Sequence, residues 1–208
     1  MNLSSKNELI DNLYKIGAIK IEEVVLRSGD RSPIYIDLRK VNSYLALRRS
    51  MCLSMWSMIC DIQFDHICGV PLTGIPFATM ISDNHDVRML LSRRETKTYG
   101  TKSNQIGGEF KSGEIVMVCE DIITSGSSIM ETIESLKSVG LVVEFVCVFV
   151  DREQKGVENL SKKGIKVRSL MKISDILNRL VEKEIMKEDE RIKITDWLEE
   201  NPCELSIE

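Results

Sequence analysis

Residues 116–128 constrain the fold of this chain more than any other stretch. Val116-Met117-Val118-Cys119 is an unbroken apolar run. A strand with no polar alternation must be covered on both faces, as happens in parallel sheets flanked by helices. Two acids follow, Glu120 and Asp121, then the small hydroxyl-rich turn Thr124-Ser125-Gly126-Ser127-Ser128, then an amphipathic helical pattern ending at Gly140. LVVEFVCVFVDR reads as a second buried strand, and HICGVPLTGIPFATMIS as strand, Gly/Pro loop and helix. VRMLLSR is a further short strand, and NLSKKGIKVRSLMKISDIL holds a helix end, another strand and a turn. Strands thus alternate with helices from about 64 to 170, which argues an α/β fold with a mostly parallel sheet.

The flanks are less regular. Leu9, Ile10, Leu13 and Ile16 keep a helical period over residues 3–16, with Ser4 or Ser5 available as a cap and Gly17 as a stop. EEVVLRSGDRSPIYIDLRKV reads as two short strands around a turn. Residues 43–62 form a second helix, rich in methionine and better suited to a core than to cofactor contacts. Residues 95–114 are polar, contain four glycines, and have the character of a long loop that closes over a site. Residues 174–199 are helical, charged and expected at the periphery, with 182–193 a solvated face.

The 208 residues suit one domain. A net charge of -4 opposes general nucleic-acid binding, and no apolar run is long enough for a membrane span. The N-terminus lacks the basic start and apolar block of a secretory signal. The 6 cysteines form no CxxC pair and the chain has only 2 histidines, which opposes a zinc site or a disulfide scaffold. Cys60, Cys68, Cys119 and Cys147 read as reduced core residues, which suits the cytoplasm. His66 reads as packed, and His85 as an exposed turn residue.

Backbone N–H groups at a helix start, with Thr and Ser hydroxyls beside them, suit a phosphate monoester at the carboxyl end of a strand. Two acids before such a cradle fit a polyol or a developing cation; alternatively they would cap the following helix. Arg93, Arg94, Lys97 and Lys102 gather positive charge on the long loop.

Residues 116–128 resemble the phosphoribosyl-diphosphate (PRPP) motif of the type I phosphoribosyltransferases. RSGDRSPIYIDLR, GVPLTGIPFAT, RRETKTYGTK and VDREQKG resemble the orotate phosphoribosyltransferases in the same order, over about residues 8–200. The likeness is strongest to the orotate phosphoribosyltransferase domain of the animal bifunctional enzyme. The resemblance implies a type I phosphoribosyltransferase fold: a mostly parallel sheet flanked by helices, an N-terminal hood (about 1–45), a PRPP-binding core (about 64–170) and C-terminal helices (about 174–199). It implies Mg²⁺-dependent transfer of the phosphoribosyl group from PRPP to orotate N1, in UMP biosynthesis. Glu120 and Asp121 would hold the ribose hydroxyls, and Thr124, Ser125, Gly126, Ser127 and Ser128 the 5′-phosphate. Val70, Pro71, Leu72 and Thr73 would meet diphosphate. Lys97 would be the catalytic lysine, flanked by Arg93 and Tyr99. Arg152, Tyr35 and Thr124 would hold orotate, with Arg27 nearby.

The family loop is shared across a homodimer, and the animal enzyme continues into an orotidylate decarboxylase, so a fused or separate decarboxylase partner is implied. Arg94 and Arg27 stand where lysines are usual, and Thr98 where an aspartate is common; charge survives at the first two positions, but reach and geometry differ. Two other readings share the ribose-phosphate half: a transferase for another base, and a PRPP-binding regulator without turnover. Ser32-Pro33-Ile34-Tyr35 and Asp151-Arg152-Glu153-Gln154 oppose the first; the acid pair and Lys97 oppose the second.

Overall fold

The computed structural model describes residues 5–25, 31–93 and 106–205. Its centre is a six-stranded sheet in the order β10-β9-β8-β5-β6-β7. These strands are β5 (His66–Gly69), β6 (Arg88–Ser92), β7 (Ile106–Gly107), β8 (Ile115–Ile123), β9 (Val142–Asp151) and β10 (Lys166–Lys172). All neighbours pair in parallel except β6 and β7.

Alternation along the buried strands feeds two cores. Met117, Cys119, Cys147 and Phe149 join one, together with α1 (Lys6–Lys15), α2 (Leu45–Ile59), α3 (Gly74–His85), α6 (Ile173–Glu182) and α7 (Glu188–Glu200). Phe77 of α3 packs on Phe149 with ring centroids 4.3 Å apart. Val116, Val118, Val146 and Val148 face the other core, closed by α4 (Ser127–Lys137) and α5 (Gly156–Lys162). Successive side chains of a strand point to opposite faces, so an all-apolar strand serves two layers at once.

Two glycines set how closely α3 approaches the sheet. A Cβ on Gly74 would collide with the Cys119 carbonyl oxygen, and one on Gly69 with the backbone of Gly74 and Ile75. The first turn of α3 therefore lies directly on β5 and β8.

Four two-residue strands make the hood. β1 (Ile19–Lys20) pairs with β4 (Tyr35–Ile36), and β2 (Val24–Val25) with β3 (Arg31–Ser32), all antiparallel. A 3₁₀ helix, Leu38–Ser43, leads into α2. Ser5 and Glu8 form a reciprocal cap on α1: the Glu8 N–H donates to Ser5 Oγ and the Ser5 N–H to Glu8 Oε2. Among the described residues no helix is long and apolar enough to cross a membrane.

Several expectations need correction. The stretch 95–114 is not wholly loop: Ile106–Gly107 returns to the sheet as β7, because Leu91–Ser92 offers an edge to pair with. The acid pair is not among these: β8 carries Glu120 and Asp121 near its carboxyl end, as expected, and the alternative that they cap α4 falls away. The stretch 22–41 holds three short strands among the described residues, β2, β3 and β4, not two. α6 is not peripheral; Ile173, Ile176, Leu177 and Leu180 lie in the core. Cys60 is exposed at the end of α2. His85 is half-buried and its ring stacks on Trp56, 4.1 Å between centroids.

At the amino end of the sheet, buried His66 Nε2 lies 2.7 Å from Glu114 Oε2, and Arg88 donates to Glu114 Oε1 at 3.1 Å. The His66 bond, then the Lys111 N–H and Arg88, draw the Glu114 carboxyl from 4.5 down to about 2. A carboxyl depressed in the folded state adds stability that is present above its ordinary value and lost as pH falls through the folded one. Urea unfolding near neutral pH is therefore expected to find Glu114→Gln less stable than the unaltered chain. That gap should close as pH falls from 4.5 toward 2.

Candidate functional site

Three adjacent parallel strands end on the same edge. Register pairs Gly69 of β5 with Cys119 of β8, and Ile123 of β8 with Asp151 of β9. The loops 70–73, 124–126 and 152–155 therefore leave the sheet side by side. Backbone bonds continue the ladder into them: the Val70 N–H donates to Cys119 O at 2.8 Å, and the Arg152 N–H to Ile123 O at 3.1 Å. The carboxyl ends of such strands are where open α/β sheets bind ligands.

The central loop is built to present amides. Gly126 caps α4 with φ +89°, a conformation that favours glycine. Ser125 Oγ accepts from the Ser127 N–H and lies 2.9 Å from Ser127 Oγ. Residues Glu120 and 122–129 line a small cavity of about 50 Å³ at this helix start. The hydroxyls, the amides and the positive end of α4 converge there, and the combination suits an anion.

Glu120 is buried and Asp121 half-buried on the strand that feeds this cavity. The Asp121 N–H donates to Glu120 Oε1 and the Ile122 N–H to Asp121 Oδ1, each at 2.9 Å. Burial pushes the Asp121 carboxyl above its ordinary 3.8; bonds from Glu120 and the backbone oppose that shift, and the Asp37 carboxylate adds to it. Asp37, on the hood, therefore stands close enough to act on the end of β8. Sequence reading assigned Asp37 no role, and its partner Arg39 none: Arg39 grips Asp37 through Nε at 2.6 Å and Nη2 at 3.0 Å, and donates to Tyr35 Oη at 3.1 Å.

Arg152 leaves β9 into the core of the site and is 7% exposed. Its Nη2 donates to Ser32 Oγ of β3 at 3.3 Å, and Ser32 passes a bond on to Ile34 O at 2.8 Å. Its Nε is buried without a hydrogen-bond partner among the described residues. Burial lowers the guanidinium pKa, yet arginine stays charged. A buried cation with one unmet donor is a fitting anchor for a ligand carboxylate. The turn behind it holds Glu153 and Lys155 at positive φ, pinned by the Glu153 N–H on Asp151 Oδ1 and the Ser174 N–H on Glu153 Oε2.

Of the diphosphate-loop candidates, Val70 and Pro71 are buried, Thr73 is half-buried and Leu72 is exposed; the Pro71–Leu72 peptide is cis. Arg93 is exposed at the end of β6, on the same edge. Arg27, Arg94, Lys97 and Tyr99 lie outside the described residues. The structure thus gathers Glu120, Asp121, residues 124–128, Val70–Thr73 and Arg152 at one edge, with Tyr35 on the hood beside it.

A family model for the phosphoribosyl transferase domain matches residues 54–177. The chain is 36% identical to the uridine 5′-monophosphate synthase of Bos taurus over 195 residues, covering 93% of this chain and 40% of that protein. It therefore spans well under half the length of that relative. It is 35% identical to an orotate phosphoribosyltransferase of Caenorhabditis elegans, covering 91% of this chain and 84% of the relative. The solved structure of Leishmania donovani UMP synthase superposes with a TM-score of 0.85 at 28% identity, over 95% of this chain and 43% of that one.

Close packing behind the cavity gives a direct test of its geometry. A Cβ on Gly156 would collide with the Thr124 carbonyl oxygen and the Ile123 side chain. Gly156→Ala is expected to lose about 1–3 kcal/mol of stability and to bind inorganic phosphate more weakly. Urea titrations with and without phosphate check both effects.

Proposed function

The chain belongs to the orotate phosphoribosyltransferases, and on that premise we propose that it transfers the phosphoribosyl group of PRPP to N1 of orotate, releasing diphosphate and orotidine 5′-monophosphate. The reading rests on one arrangement: an acid pair, a hydroxyl-lined helix start and a buried arginine with an unmet donor share one sheet edge.

The 5′-phosphate sits at Thr124–Ser128, where amides and the helix dipole offset its charge. Glu120 and Asp121, at the strand end, take the ribose hydroxyls, and the raised Asp121 pKa expresses the cost of a buried carboxylate awaiting donors. Arg152 takes the orotate carboxylate, fixed by Ser32 in the hood. Tyr35, held by Arg39, borders the base. Orotate N1 then lies in line with C1′; the N1–C1′ bond forms as the C1′–O bond to diphosphate breaks, and the N1 proton passes to the departing diphosphate or to solvent. The anomeric carbon gains cationic character, which two nearby carboxylates favour. Val70–Thr73 receives the departing diphosphate, and Lys97 with Arg93 and Arg94 meets its growing charge.

Among the described residues no group of three or more His, Cys, Asp and Glu converges as a metal cage. The donors at hand are hard carboxylate oxygens, which fit a Mg²⁺ held mainly by PRPP with Glu120 and Asp121 beside it. Bound there, the ion would offset charge on the diphosphate. The active unit in this reading is a homodimer in which the catalytic loop that carries Lys97 is shared between subunits. The enzyme works in the cytoplasm, supplying an orotidylate decarboxylase either fused to it or separate.

Three measurements test this reading. Absorbance should fall when PRPP and Mg²⁺ are added to orotate, and other bases should give no product; Lys97→Ala should slow turnover about 100- to 1,000-fold with orotate affinity retained. Constant orotate absorbance would refute the assignment. Mixed Lys97→Ala and Asp121→Ala chains should regain activity if the site is shared, and inactive heterodimers would refute sharing.

A further inference from the structure

The back of the phosphate loop is covered by α5, whose residues have no part in the chemistry above. Three of them, Gly156, Asn159 and Leu160, lie on one helix face by their i, i+3, i+4 spacing. Each meets a successive residue of the loop. Gly156 lies against the Thr124 carbonyl oxygen. Asn159 Nδ2 donates to Ser125 O at 3.0 Å. Leu160 packs under Gly126, where an added Cβ would come within 3.3 Å of Leu160 Cγ. Asn159 is itself 7% exposed.

In a trans peptide the carbonyl and the following N–H point to opposite sides. Among the described residues the cis bond is Pro71–Leu72, so the Ser125–Gly126 peptide is trans. Holding Ser125 O toward α5 turns the Gly126 N–H away from it, toward the cavity, to which α5 contributes no lining residue. Asn159 Nδ2 also donates to Cys203 O at 3.2 Å. Cys203 N–H in turn donates to Gln154 O at 3.2 Å, and Gln154 Nε2 to Asn201 O at 2.7 Å. One buried side chain thus joins the phosphate loop to the carboxyl-terminal segment 201–203.

We propose that Asn159 is a positioning residue for PRPP: by fixing the Ser125 carbonyl it aims the Gly126 amide at the 5′-phosphate. The assignment rests on the PRPP reading and adds a residue to it that touches no substrate. Losing the donor leaves Ser125 O free to rotate and also releases Cys203 O, but Arg152 keeps its own bond to Ser32, so the larger cost falls on the phosphate.

Steady-state kinetics on the full chain, varying PRPP and orotate separately, test this with Asn159→Ala and the near-isosteric Asn159→Asp, which offers no amide donor. Both are expected to raise the PRPP KM about tenfold while the orotate KM stays within about twofold. Unchanged PRPP KM, or equal rises in both constants with a lowered melting temperature, would overturn the assignment. A second arm follows the Gly126 amide signal on titration with inorganic phosphate: it should shift in the unaltered chain and much less in Asn159→Asp. Equal shifts in the two chains would also overturn it. An unaltered chain that turns over no orotate would refute the parent reading, and the phosphate arm would then decide this one by itself.

Discussion

The parallel pairing of β5, β8 and β9 is the constraint on which the rest depends. Three strands in one direction bring three loops to one edge, and no short hairpin could do so. Backbone bonds from Val70 to Cys119 and from Arg152 to Ile123 extend the ladder into those loops. Their starting points are therefore set by the sheet rather than by side-chain packing. Glycines refine the placement: Gly74 lets α3 rest on Cys119, and Gly156 lets α5 rest on Thr124. The loops are backed by main chain, which has little room to give.

Charge is distributed against the average of the molecule. The chain carries a net charge of -4, yet its proposed ligand is polyanionic. The described site answers with directed partial charges at the start of α4 and with one buried arginine, and it keeps its acids on the strand where hydroxyls are expected. A buried guanidinium with an unmet donor is costly in an empty site. Ser32 meets part of that cost, and a carboxylate would meet more. On the proposed function, this arrangement trades stability of the free protein for recognition of a carboxylate.

How much could be read from sequence followed from the range of the interaction responsible. Apolar runs at 116–119 and 141–150 announced buried strands, and the turn at 124–128 announced a helix start, because both signals are local. A cap at Ser4 or Ser5 was legible in the same way; the structure selects Ser5 and adds Glu8, which sequence reading had not assigned. β7 was missed because two residues become a strand only when Leu91–Ser92 lies alongside. α6 was misplaced because its charged residues hide a narrow stripe of Ile173, Ile176, Leu177 and Leu180. Trp56 on His85, Asp37 near Asp121 and Asn159 on Ser125 join residues distant in sequence, and no local pattern marks them. The acid pair was legible as chemistry, but its position inside β8 depends on pairing with β9 through Ile123.

The account stands on phosphate recognition by the turn that follows β8. Backbone amide shifts of the full chain, followed on titration with PRPP, test this most directly. The account predicts that the largest changes fall on Ser125, Gly126, Ser127 and Ser128. Saturable binding that leaves those four amides unmoved, with the changes instead around Asn12, Lys15, Tyr44 and Leu45, which line a separate groove, would contradict it.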